Sequence, residues 1–149
     1  MSGRYFDQWQ VGDRIEHAIG RTVTETDNLL FSALTHNPQP LHLDAEYARA
    51  SEFGRIVVNS TFSFSLMIGL SVIDTTLGTM IANLGYDEVK TPHPVFLGDT
   101  LRAQTEVREK RVSRSRPQAG IVVFAHQLTN QRGETVCSCT RTALLHKAT

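Results

Sequence analysis

The clearest pattern lies in the second half of the chain. Thr100 to Arg111 alternates, with Leu101, Ala103, Thr105 and Val107 falling on one face of an extended strand. Gly120 to Thr129 is rich in β-branched and aromatic residues. Asn130-Gln131-Arg132-Gly133 then supplies a four-residue hairpin turn, and Glu134 to His146 returns. These three runs predict an antiparallel meander. Thr79 to Leu84 is a further strand candidate, and Val11 to Glu16 a short one near the start.

Between these strands the period changes. Thr24-Glu25-Thr26-Asp27 reads as a helix start, a capping threonine with an acid three residues on, and Leu29, Leu30, Ala33 and Leu34 follow at helical spacing. This helix is expected to stop near Thr35 or His36, because Pro38 drives Asn37 toward an extended conformation. Asn37-Pro38-Gln39-Pro40 then forms a stiff, non-helical connection that fixes Leu41 and His42 in place. Asp44 is the expected N-cap of a short helix over Ala45 to Ala50, and Gly54 a turn. A second long helix is expected from Ser60 or Thr61 to about Val72 or Ile73. Phe62, Phe64, Leu66, Met67, Ile68 and Leu70 cover most of its circumference, so it must be buried nearly all round. A curved sheet wrapped around it would do that in so small a chain. Its small residues Ser63, Ser65 and Gly69 allow close approach of backbone or ligand. The order of strand, helices, then strands predicts an α+β fold in a single domain, 1–149, with helix packed on one face of an antiparallel sheet.

Composition narrows the function. The chain has 149 residues, 40% of them apolar, and 15 basic residues balance 15 acidic ones, giving a formal net charge of zero. That balance argues against nucleic acid or an anionic membrane as partner, since both need a basic surplus, and it permits self-association. No run approaches the roughly 18 uncharged apolar residues of a membrane span. The opening MSGRYFDQWQVGD lacks the apolar core of a secretory signal. Cys137 and Cys139 form a C-x-C pair that strand alternation would place on one face as small fillers. The expected setting is cytoplasmic and reducing.

The segment Leu34-Thr35-His36-Asn37-Pro38-Gln39-Pro40-Leu41-His42-Leu43-Asp44 resembles the hydratase motif of the MaoC-like dehydratases, the (R)-specific enoyl-CoA hydratases. Ile56-Val57-Val58-Asn59-Ser60-Thr61 falls where that family has a histidine-glycine step opening its central helix. Pro94-Val95-Phe96-Leu97-Gly98-Asp99-Thr100-Leu101 resembles its Gly-Asp-Thr-Leu turn into a strand. The resemblance implies a hot dog fold, an antiparallel sheet around one long helix. It implies hydration or dehydration of an acyl-CoA thioester without a separate cofactor, and a homodimer or dimer of dimers. The wider run, with VNSTF and ANLGYDEV, is most similar to a branch acting on short branched or dicarboxylic substrates of the mesaconyl or itaconyl type.

The resemblance also assigns roles. The family uses an aspartate and a histidine five residues apart to hold a water and add it to a trans-2-enoyl-CoA. His42 matches the histidine, while Asn37 stands at the aspartate position. Ser65 matches a helix serine that supports the aspartate, and the Ser60 backbone N–H matches the donor that polarises the thioester oxygen. Asn59 and Ser60 also read as a helix N-cap, compatible with that donor role, because the free N–H groups of a helix start are the same groups. Asparagine can orient a water but cannot exchange a proton at neutral pH, so the chemistry would rest on the His42 imidazole as base and then acid. Alternatively, Asn37 makes the turn before Pro38. His36 reads as a helix end or as a stand-in for the acid, and His93 as a turn residue or part of a pocket mouth. Arg111, Arg114 and Arg116 form a basic run that serves as a solvated strand end or meets coenzyme A phosphates. Two other functions fit the chain: a hot dog thioesterase, and a non-catalytic acyl-CoA-binding module.

Overall fold

The computed structural model describes residues 3–148. Its frame is one antiparallel sheet of five strands in the order β1-β3-β4-β5-β2. The strands are β1 (Arg14–Thr22), β2 (Met80–Lys90), β3 (Thr100–Val112), β4 (Ala119–Thr129) and β5 (Thr135–His146). The expected meander is present: β3 pairs with β4 and β4 with β5, with Asn130 to Gly133 turning the second hairpin. The first strand begins later than expected, at Arg14, because Gly12 sits in a left-handed turn (φ 92°). The strand expected at Thr79 to Leu84 runs on to Lys90, through three register shifts against β5.

Four helices lie between β1 and β2: α1 (Glu25–Leu34), α2 (Pro40–Leu43), α3 (Ala45–Ala50) and α4 (Ser60–Thr75). Thr24 and Asp27 close the predicted capping box on α1, each side chain accepting the other's backbone N–H. Asp44 caps α3, accepting from the Glu46 and Tyr47 N–H groups. The connection after Asn37 differs from the expectation. Pro40 opens a single helical turn, as proline does readily at a first helical position, and His42 sits within it.

The long helix α4 packs on the face of the sheet that carries Leu101, Ala103, Leu128, Cys137 and Cys139. Its fully buried stripe is Ser63, Met67, Ser71 and Thr75, while Phe62, Phe64, Leu66, Ile68 and Leu70 are half-buried flanks. Burial all round was expected; instead small residues let the backbone approach the strands, and Ser65 and Gly69 remain exposed. Both cysteines are buried and free, and burial pushes their thiols up to about 11 and 12.

At the other end of the sheet, Trp9 and Phe6 close the core over Val107, Val122 and Phe124. Gly120 is needed there, because a Cβ would lie 2.0 Å from the Phe6 ring. The Gly98-Asp99 turn is structural. Gly98 takes a left-handed conformation (φ 90°), and buried Asp99 accepts from the Phe96 N–H and the Gln131 side chain, joining this turn to the β4–β5 hairpin.

Candidate active site

His42 is half-buried, and its Nδ1 lies 2.6 Å from the Val57 carbonyl oxygen. A carbonyl only accepts, so Nδ1 carries the proton and Nε2 is left with a free lone pair. Val57 precedes α4 by three residues, so this bond ties the imidazole to the approach of the helix start. The Val57 N–H donates to the Leu41 carbonyl, reinforcing the tie.

Asn59 caps α4: its Oδ1 accepts from the Thr61 N–H, and its carbonyl from the Phe62 and Ser63 N–H groups. The Ser60 N–H, at the first helical position, has no acceptor among the described residues. It is a free donor at the positive end of a 16-residue helix.

One residue joins the two halves. Asn28, on α1 and 1% exposed, donates from Nδ2 to the His42 carbonyl and accepts the Asn59 N–H at Oδ1. Ser32, one turn further, accepts from Asn59 Nδ2. Sequence reasoning passed over both. The available signal was a pair of polar residues four apart on a helix otherwise rich in leucine. That helix is inverted with respect to its apolar spacing: Leu29, Leu30 and Leu34 are 40%, 57% and 72% exposed, while Asn28 and Ser32 are buried.

His42 and Ser60 line one cavity of about 330 Å³, together with Ser63, His93 and the apolar residues Phe53, Val57, Val58, Val95 and Val136. His93, from the loop before β3, places Nδ1 2.9 Å from the Thr135 carbonyl and so also presents a free Nε2. Among the described residues, no acidic, lysine or arginine side chain lines this space. A second, larger trough of about 770 Å³ crosses the opposite face of the sheet among Glu16, Gln104, Glu106 and Gln127. It contains neither His42 nor the α4 start.

The other expected residues lie apart from this cavity. Asn37 does not line it, and its Oδ1 accepts the Gln39 N–H, the turn-making arrangement. Ser65 is exposed and makes no hydrogen bond to Asn37 among the described residues. At about 100° per residue it lies some 200° round α4 from Ser63, so the two serines cannot share a face. Asn59 is buried as the cap and is absent from the lining. Arg111 and Arg114 are exposed at the far end of β3. At about 3.3 Å per residue, Arg111 is roughly 26 Å along the strand from Ala103, which packs on the α4 side near the cavity end. His36 adopts a left-handed conformation (φ 54°). The paired bonds His36 N–H to Ala33 and Asn37 N–H to Ser32 complete a Schellman close of α1.

Comparison with known proteins places the chain in a family. Residues 7–127 match the model of the MaoC like domain. The chain belongs to the MaoC-like family. Over 146 residues it is 36% identical to a mesaconyl-CoA hydratase of Cereibacter sphaeroides, covering 98% of this chain and 42% of that protein. The MaoC-like chain therefore spans about two fifths of that relative. Among solved structures, a monoamine oxidase regulatory protein from Archaeoglobus fulgidus superposes with a TM-score of 0.88 at 34% identity, covering 100% of this chain and 98% of that one. A Mycobacterium tuberculosis protein with a double hotdog fold matches at 0.89 and 23% identity, covering 98% of this chain and 45% of that one. The MaoC-like chain is a hot dog fold, with α4 as its wrapped helix.

Proposed function

We propose that this chain is a hydro-lyase that adds or removes water across the 2,3 double bond of a short enoyl-CoA thioester. The observation that carries the reading is one cavity lined both by His42, whose Nε2 has no partner among the described residues, and by Ser60, whose N–H is free at the start of α4. In hydration, Nε2 takes a proton from water as the oxygen adds to Cβ. Electron density moves onto the thioester oxygen, which accepts from the Ser60 N–H at the positive helix end. The imidazolium then gives its proton to Cα on the same face. One group serves as base and acid in turn, and no cofactor enters. Asn37, in its turn, plays no direct part in this scheme. The mesaconyl-CoA hydratase relative favours a short, branched, dicarboxylic acyl chain as substrate.

The same reading includes a homodimer. Strand β2 is an unpaired edge, with Met80, Leu84, Tyr86 and Val89 exposed, and α1 exposes three leucines. Leu84→Asp with Val89→Lys is expected to shift the chain toward monomer in sedimentation, and an unchanged sedimentation coefficient would place the contact elsewhere. The free buried cysteines support a reducing, cytoplasmic setting.

The direct test is loss of absorbance at the conjugated thioester when the protein is mixed with crotonyl-CoA or mesaconyl-CoA. Turnover without thiol release supports the hydro-lyase. Thiol release would establish a thioesterase instead, and tight binding without turnover a binding module.

A further inference from the structure

Five buried polar side-chain atoms lack a hydrogen-bond partner among the described residues: Trp9 Nε1, Ser63 Oγ, Thr79 Oγ1, His126 Nε2 and Arg141 Nη1. Only Ser63 also lines the cavity that holds His42. Its residue is 1% exposed, so solvent does not satisfy the hydroxyl. A buried hydroxyl left unpaired costs stability, and a protein carrying one gains when a ligand supplies the missing partner. Ser63 lies three residues beyond Ser60, on the same face of α4 and about 4.5 Å further along the axis. That offset is one a four-carbon dicarboxyl chain spans.

The surroundings specify the sign of that partner. The cavity wall holds a helix N-terminus, favourable to an anion, and among the described residues no acidic side chain opposes it. Besides the two histidines, valines, prolines, Phe53 and Thr91 form the rest, so an all-apolar acyl chain would fill the space yet leave Ser63 unsatisfied.

We propose that Ser63 is a specificity residue. Its hydroxyl donates to a second carboxylate at the distal end of the acyl chain. The inference rests on the enoyl-CoA reading above and adds which side chain separates a dicarboxyl half-thioester from a plain alkyl one. A site that hydrogen-bonds a polar substrate group rejects the analogue lacking it, because its own buried group is then left unpaired.

The experiment compares mesaconyl-CoA with crotonyl-CoA in the wild type, Ser63→Ala and Ser63→Cys, the last keeping the shape but replacing a strong donor with a weak one. The ratio of kcat/KM for mesaconyl- over crotonyl-CoA is expected to fall roughly 10- to 100-fold in both variants, the scale of one hydrogen bond to a charged group. The unliganded Ser63→Ala protein is expected to melt at or above the wild-type temperature, because an unpaired hydroxyl has been removed. An unchanged ratio, or a melting temperature lowered by several degrees, overturns the proposal. If the wild type hydrates neither thioester, the hydro-lyase reading fails on its own. The proposal is then decided by calorimetric binding of the two thioesters, where a selective loss in the variants supports it and equal affinities overturn it.

Discussion

At the scale of the residue, His42 is positioned by others. Its ring is set by the Val57 carbonyl and its backbone by Asn28, which also holds the Asn59 N–H that opens α4. Asn28→Ala removes both bonds and leaves the buried Asn59 N–H and the half-buried His42 carbonyl unpaired. A loss of about 2–3 kcal/mol in denaturant unfolding is expected, with kcat falling alongside it as the imidazole loses its register to the helix. Unchanged stability would show that water replaces the clamp. Asn37 behaves differently. Its oxygen accepts a backbone N–H, a task an aspartate performs equally well, so Asn37→Asp is expected to fold normally and to keep the hydration rate. A collapse of folding would show that the amide nitrogen is needed. The position of His42 was legible because flanking prolines restrict the backbone and the motif has a fixed spacing. The Ser63 role was half legible, as a small residue permitting close approach. Asn28 and Ser32 were not, since a polar pair on a helix reads as solvent-facing until something is seen to cover it.

At the scale of the element, caps and breakers carried the most information. The Thr24–Asp27 box, the Asp44 cap and the Asn130 to Gly133 turn stand where local chemistry requires them. Hydrophobic period was less faithful in the helices. In α1 the leucine stripe faces outward and the polar stripe inward, because the inward stripe binds backbone groups of two neighbouring segments. In α4 the deepest stripe sets Met67 among the small residues Ser63, Ser71 and Thr75, since close approach to a sheet selects for size as well as polarity. The far half of β2 escaped pattern reading for another reason. It is an exposed edge with irregular register, and Glu88 takes a left-handed conformation (φ 50°), so period-two alternation is broken.

At the scale of the molecule, a buried chain of hydrogen bonds couples pH to stability. Asp74 binds His17, His17 binds Thr105, and Thr105 binds His126 between α4 and the sheet. Burial, aided by the nearby Arg141 charge, pushes His126 down to about 3 from its ordinary 6.5. In the unfolded chain that imidazole takes up a proton as pH drops below 6.5, whereas the folded protein refuses it until about 3. Its contribution is therefore complete above pH 6.5 and is lost progressively toward pH 3, on the order of a few kcal/mol in total. Urea unfolding across that range is expected to show the decline in the wild type and a shallower one in His126→Gln. Identical slopes would mean other groups govern acid sensitivity.

The proposed chemistry depends on the start of α4, where His42 and Ser60, with its free N–H, line one cavity. Replacing His42 by glutamine keeps a polar side chain of similar reach and removes the proton carrier. With near-ultraviolet dichroism confirming an intact fold, the most direct measurement is the rate of enoyl-CoA hydration by His42→Gln against the wild type. The account predicts a fall of at least about 100-fold. A variant that hydrates the thioester at the wild-type rate would contradict it.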